Sequence, residues 1–154
     1  MTDTVSEKKR SEIMKANKPK GNKSTELKLI HPFKQLGLKG WRRNYKIAGA
    51  IPDFVFLKKR IAIFADGCFW HGHNCRNVTP KKNAGYWREK IEQNKKRDRD
   101  IVNRLTMKGW KVFRIWECEI KRGNILQNLI DLVKSEKLKY PSIPKSSHNH
   151  PNAQ

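Results

Sequence analysis

The chain has 154 residues, enough for one domain with a modest core and too few for a second catalytic domain. Its 35 lysines and arginines against 14 acids, a net charge of +21, point to a polyanionic partner. Nucleic acid fits better than a membrane surface, because no basic amphipathic helix has a broad apolar face and no apolar run approaches ~18 residues. The N-terminus is basic but no apolar stretch follows it, so it is not a secretory signal and the expected compartment is the cytoplasm. Three cysteines without an export signal argue against a disulfide framework and for metal ligation or plain burial.

Residues 1–23 are polar and lysine-rich and read as a flexible basic arm that orders on contact with a partner. From Ser24, a candidate N-cap, Leu27, Ile30, Phe33 and Leu36 recur at helical spacing until Gly37, with Pro32 expected to kink or split the helix. Three strand candidates follow, IPDFVFL (51–57), IAIFADG (61–67) and KVFRIWE (111–117). Only Lys58, Lys59 and Arg60 separate the first two, so an antiparallel hairpin is the simplest connection. A long helix is predicted from about Gly85 to Lys108, with Trp87, Ile91, Ile101 and Leu105 towards the sheet, and a last one near Asn124–Lys137. Residues 140–154, rich in proline, serine and histidine, read as a disordered tail, which leaves 24–139 as a single α/β domain with a small mixed sheet flanked by helices.

The segment FADGCFWHGHNC places Cys68, His71, His73 and Cys75 within eight positions after a strand, and Cys118 follows 43 positions beyond Cys75. Zinc takes four thiolate or imidazole ligands in a tetrahedron, and three thiolates with one imidazole meet that demand. Such a site is closed and therefore structural, stapling the loop to the sheet. Spacing alone leaves open which of His71 and His73 is the ligand.

Asp53 follows Pro52 within an otherwise apolar strand, where a charge is costly unless it meets a cation, amides or a metal. With Asp66 at the end of the next strand and Glu26 in the first helix, it suggests a catalytic Mg²⁺ site, since Mg²⁺ binds through few carboxylates and keeps waters for substrate phosphates. Phosphodiester hydrolysis needs such a cation and a proton acceptor, a role an imidazole can fill. Taken singly, Asp66 reads equally as a turn carboxylate and Glu26 as a helix N-terminal charge.

Together, R-S-x-x-M (Arg10 to Met14), IPDFVF, DGCFWHGHNC, YWREKIEQNKKRD and GWKVFRIWEC resemble the very short patch repair (Vsr-type) mismatch endonucleases, in order and over most of the chain. The resemblance implies a restriction-endonuclease-like fold and a single-strand cut beside the thymine of a T·G mismatch left by deamination of 5-methylcytosine. It implies Asp53 as principal Mg²⁺ ligand with the backbone carbonyl of Ala65, His71 as general base, and Glu26 as the carboxylate that supports His71 or holds a water of the metal. Cys68, His73, Cys75 and Cys118 match the zinc ligands. Two departures stand out: FAD at 64–66 carries no lysine where related nucleases have an acidic-x-Lys triplet, and Ala65-Asp66 replaces a Thr-His of some members. Histidine chemistry then stands in for the lysine, and Asp66 adds metal affinity or serves another role.

Phe69 and Trp70, on a metal-pinned loop with no evident core to fill, read as wedges for a base stack weakened by mispairing. The resemblance adds Trp87 to them and makes the arm, with Met14, a clamp from the opposite groove; helical phase equally suits Trp87 to the core. Lys90 and Asn94, four apart, share a helix face and suit displaced base edges, whereas Lys95, Lys96 and Arg99 read as a solvated or phosphate-contacting face. The expected partner is double-stranded DNA bound by a monomer, with a functional link to a cytosine-5 DNA methyltransferase and a repair polymerase and no membrane. Alternatives are a restriction-type or solo nicking endonuclease with another DNA substrate, and a non-catalytic zinc-stabilised nucleic-acid-binding protein.

Overall fold

The computed structural model describes residues 25–75, 82–123, 125 and 127–135. The basic arm with Met14, the candidate cap Ser24 and the tail 140–154 lie outside the described residues. Helix α1 spans Glu26–Gln35 and buries Leu29 and Phe33, one turn apart, beside Glu26. The expected stripe is thus shifted: Ile30 and Leu36 pack at its margin while Leu27 is exposed. Pro32 does not split the helix. The hydrogen bond a proline removes would have gone to the carbonyl of Lys28, an exposed residue, so water can satisfy that group. Gly37 ends α1 at φ +68°, with Leu38 N–H donating to Phe33 O (2.9 Å) and Gly37 N–H to Lys34 O (3.0 Å), a Schellman closure in which Leu38 and Phe33 join one core cluster.

Strands β1 (Arg42–Arg43), β2 (Phe54–Phe56), β3 (Ile61–Asp66) and β4 (Lys111–Trp116) form one sheet in that order. The first two pairings are antiparallel and β3·β4 is parallel. The β2–β3 hairpin is as expected, closed by a short 3₁₀ turn, Leu57–Lys59, and Arg60 at φ +51°. Strand β1 was not expected from the sequence, and β2 is shorter than its candidate segment because Pro52 offers no N–H to a ladder.

Parallel β3 and β4 need a long crossover, supplied by loop 67–75 and helix α2 (Ala84–Met107), which matches the predicted long helix to within a residue. The third strand candidate ends a residue early, at Trp116, because Glu117–Arg122 forms a short helix, α3. The Glu119 carboxylate reaches back to accept the Trp116 N–H (2.8 Å) and starts that helix. Helix α4, Gln127–Lys134, buries Leu129, Ile130 and Val133.

Strand alternation sorts the core into two layers. Phe54, Phe56, Ile61, Ile63 and Ile115 meet α1 and α4, whereas Val55, Ala62 and Phe64 meet Leu105 and Ile101 of α2 with Trp110. Helices therefore cover both faces of a mixed sheet. Asp66, two residues beyond Phe64, is on the α2 side, and Arg114, opposite Phe64 in the register, reaches the same layer. Among the described residues, no helix is long and apolar enough to cross a membrane.

Candidate active site and metal centre

The parallel register brings the metal cluster together. Asp66 is level with Trp116, so two residues further along each strand Cys68 and Cys118 leave the sheet side by side. Loop 67–75 then folds back through His73 N–H to Cys68 O (2.9 Å) and Cys75 N–H to His73 O (2.9 Å). Gly72, at φ +65°, lets the loop lie on α2: a Cβ there would collide with Lys95 Cε and come within 2.7 Å of Ile91 Cγ2. One ligand atom from each of Cys68, His73, Cys75 and Cys118 falls within 4.8 Å of the others, the only such group of three or more acidic, cysteine or histidine residues among the described residues. Three sulfurs and one imidazole suit a tetrahedral cation with Zn–S bonds of about 2.3 Å. Without a cation the arrangement is unfavourable for thiolates: burial pushes the Cys68 thiol up to about 12, the neighbouring Cys75 and Cys118 sulfurs add to this, and a backbone hydrogen bond at Cys118 opposes it. His73 stacks on Trp116, with centroids 4.3 Å apart and rings 5° from parallel, which sets the plane of the imidazole. Of the two histidines left open by spacing, geometry assigns His73 to this cluster.

His71 points elsewhere. Its Nδ1 lies 2.6 Å from Asp98 Oδ2, while Nε2 lies 3.6 Å from Asp66 Oδ1, too far for a hydrogen bond. Asp98, buried on α2, is a residue sequence reasoning missed; it lies within a run of charged residues, KKRDRD (95–100). A signal was present: Trp87, Ile91, Asn94, Asp98, Ile101 and Leu105 recur at three- and four-residue intervals, so Asp98 sits on the inward face of α2. Burial alone would raise its pKa, but hydrogen bonds from His71 and Arg114 outweigh that and hold the carboxyl below its ordinary value.

Arg114, also missed, ion-pairs through Nε with Asp66 and through Nη2 with Asp98 Oδ1 (3.1 Å). The pairing with the two acids raises its pKa further despite partial burial. A cleft of about 340 Å³ opens beside His71 and Asp98 between α2 and β4, with Lys95, Arg99 and Arg114 on its walls.

Asp53 folds back so that its Oδ2 accepts the Ala65 N–H (2.7 Å), which puts it against the residue whose carbonyl the family resemblance pairs with it. Burial first, then the charges of Glu26 and Asp66, push the Asp53 carboxyl up to about 6 against the pull of the Ala65 hydrogen bond. The three acids thus share a neighbourhood, yet each has its own partner. Glu26, fully buried, accepts from Arg43 Nε (2.8 Å) and Nη2 (2.6 Å) and from Asn44 Nδ2 (2.9 Å), tying α1 to β1. The carboxylate that holds His71 Nδ1 is Asp98.

Phe69, Trp70 and Trp87 pack as a trio with centroid separations of 5.2, 5.4 and 5.8 Å, all edge to face. Trp87 is 7% exposed and the two loop aromatics are half-buried, so loop and helix hold one another. Lys90 is exposed. Asn94 instead faces the loop, donating to Trp70 O (2.8 Å) and accepting from Arg97 Nη2 (3.0 Å).

A buried carboxylate holding an imidazole, on a chain of net charge +21, suits general-base chemistry on a polyanion. Comparison with known proteins makes this specific. The family model described as DNA mismatch endonuclease Vsr matches residues 2–77. The type II nicking enzyme V.XorIIP of Xanthomonas oryzae pv. oryzae is 36% identical over 138 residues, covering 85% of this chain and 98% of that protein. The type II nicking enzyme V.NmeDIP of Neisseria meningitidis serogroup C is 38% identical over 123 residues, 79% and 82% of the two chains. The DNA mismatch endonuclease Vsr of Escherichia coli K12 is 42% identical over 88 residues, 56% of this chain and 54% of that one. The protein is a DNA endonuclease, and it belongs to the Vsr family.

Proposed function

We propose that this endonuclease nicks the thymine strand of T·G mismatches left by deamination of 5-methylcytosine, initiating very short patch repair in the cytoplasm, with Mg²⁺ as catalytic and Zn²⁺ as structural cation. The observation that carries the reading is that one loop, which supplies Cys68, His73 and Cys75 to the cysteine–histidine cluster, bears both His71 and the aromatic pair Phe69 and Trp70, so a base and wedges would be positioned as a unit. The family match and the name of the Escherichia coli relative support the substrate. An acid in an antiparallel hairpin of a mixed sheet with helices on both faces supports a restriction-endonuclease-like fold.

In this reading Cys68, His73, Cys75 and Cys118 hold zinc, which contributes only rigidity. Asp53 and the Ala65 carbonyl hold Mg²⁺, with Glu26 and Asp66 close enough to strengthen the negative field there. A cation held there would supply charge neutralisation for the phosphate oxygens and would orient water. Asp98 keeps the proton of His71 on Nδ1, so Nε2 is the atom that accepts a proton from the attacking water. The water oxygen bonds to phosphorus, and the bond from phosphorus to the leaving sugar oxygen breaks.

Phe69, Trp70 and Trp87 enter the stack where mispairing has weakened it. Lys90 reads the displaced base edges, Asn94 joins it by exchanging its loop carbonyl partner for a base, and the N-terminal arm with Met14 closes from the other groove. The protein acts as a monomer on duplex DNA, downstream of a cytosine-5 methyltransferase and upstream of a repair polymerase.

A second reading, nicking at a different duplex sequence or structure, is favoured by the relatives named type II nicking enzymes. Strand-specific cleavage of matched duplexes carrying T·G, C·G or T·A at one position, with Mg²⁺ or EDTA, separates the two. Mg²⁺-dependent cutting of only the thymine strand of T·G is expected, and equal cutting of the paired duplexes would favour the second.

A further inference from the structure

His71 belongs to a ring of four side chains in which three links are close ion pairs and the fourth, from His71 to Asp66, is an approach of 3.6 Å. Asp98 Oδ2 lies 2.6 Å from its Nδ1, and Asp66 Oδ1 lies 3.6 Å from its Nε2. The remaining oxygens of both acids meet one guanidinium: Asp66 Oδ2 pairs with Arg114 Nε, and Asp98 Oδ1 with Arg114 Nη2 at 3.1 Å. The members come from the end of β3, the metal loop, α2 and β4, so the ring cross-links the four pieces of chain that build the site.

Electrostatics explains why a cation completes this ring. The side chains of Asp66 and Asp98 are only 6% and 9% exposed, and two buried carboxylates bracketing one imidazole repel each other unless a fixed positive charge lies between them. Arginine suits the position because its planar fork presents donors in fixed directions to two acceptors at once, whereas a lysine ammonium is a point charge on a flexible stem. This also gives Asp66 a role. Both of its oxygens are directed within the ring, one to Arg114 and one towards His71.

We propose that Arg114 is a positioning residue that cross-links Asp66 and Asp98 and thereby holds the imidazole of His71 in the orientation its reaction requires. It acts through the two acids and not by touching DNA. The proposal rests on the reading of His71 as the proton acceptor.

The test is single-turnover nicking at saturating protein, on the duplex the wild-type protein cuts, together with DNA affinity measured by fluorescence anisotropy without divalent ion. Arg114→Met is expected to lower the nicking rate about tenfold or more while affinity stays within about twofold. Arg114→Lys is expected to recover thermal stability but not the rate, because charge returns without the two-directional fork. An unchanged rate in Arg114→Met overturns the proposal. So does a rate loss matched by weakened DNA binding, which would make Arg114 a phosphate contact, and so does full recovery of the rate in Arg114→Lys, which would make charge sufficient. If Arg114→Met does not fold, Arg114→Gln, which keeps polar contacts without the charged two-directional fork, carries the same test: a slow rate with unchanged affinity supports the proposal and a wild-type rate overturns it. His71→Ala, measured in parallel, separates the two levels, since a fully active His71→Ala removes the base reading itself, whereas an inactive one beside a fast Arg114→Met removes only the role of Arg114.

Discussion

Asp98, buried midway along helix α2, holds Nδ1 of His71 at 2.6 Å across 27 positions of sequence, and so fixes which nitrogen of the imidazole carries the proton. Asp98→Asn keeps the shape but offers a donor where an acceptor is needed, favouring the wrong tautomer. The expected result is a loss of nicking rate of roughly 10²-fold or more with DNA affinity little changed. A rate within a fewfold of wild type would mean that the pair is only structural.

Asp53 should make stability depend on pH in a direction unusual for a carboxylate. Its folded pKa is raised to about 6, chiefly by burial, so between 3.8 and that value the folded protein holds a proton the unfolded chain has lost. Stability therefore falls as pH rises through this window, by about 3 kcal/mol once pH exceeds 6. In EDTA, the melting temperature of Asp53→Asn should pull ahead of wild type between pH 4 and 7, and Mg²⁺ should narrow the gap. A constant difference across that range would show that Asp53 does not titrate there.

Metal analysis is expected to return one zinc per chain. Stripping it, or replacing Cys118 with serine, removes the link between β4 and the loop carrying His71, which should cost several kcal/mol and lower the melting temperature by roughly 10 °C or more. Zinc should restore stability to the stripped protein, whereas Mg²⁺ alone should not. A stripped protein that melts like the loaded one would dismiss the staple.

The aromatic trio should divide under substitution. Trp87, 7% exposed, anchors the loop, so Trp87→Ala should destabilise by about 3 kcal/mol. Phe69, half-buried on the loop, should cost less than half of that in stability, yet Phe69→Ala should narrow the affinity gap between mismatched and paired duplexes. Equal weakening on both duplexes would make Phe69 a packing residue.

Much of this molecule was legible in one dimension because its signals are local. The β2–β3 hairpin followed from two apolar runs with three residues between them, and the long helix from its apolar stripe, ending within a residue of expectation. The cysteines and histidines announced a metal cluster through their crowding, and Asp53 stood out as a charge in an apolar strand. Elements whose stability comes from neighbours were not legible: β1 exists by pairing with β2, and α3 begins where a strand was expected because Glu119 caps it. That Pro32 leaves the helix unsplit depends on whether the orphaned carbonyl of Lys28 reaches water, which local sequence does not specify.

The sequence by itself determined the chemical inventory: three cysteines and two histidines for a metal cluster, the isolated Asp53, the aromatic pair on the loop and a charge suited to DNA. Only the tertiary structure decided the partnerships. The parallel β3–β4 register delivers Cys118 to Cys68, α2 turns Asp98 inward to His71, and alternation along β4 sends Arg114 to the same face as both acids. The reason is physical: which residues exist is a property of the chain, whereas which buried charges must neutralise one another depends on the faces that strand register and helix phase bring together.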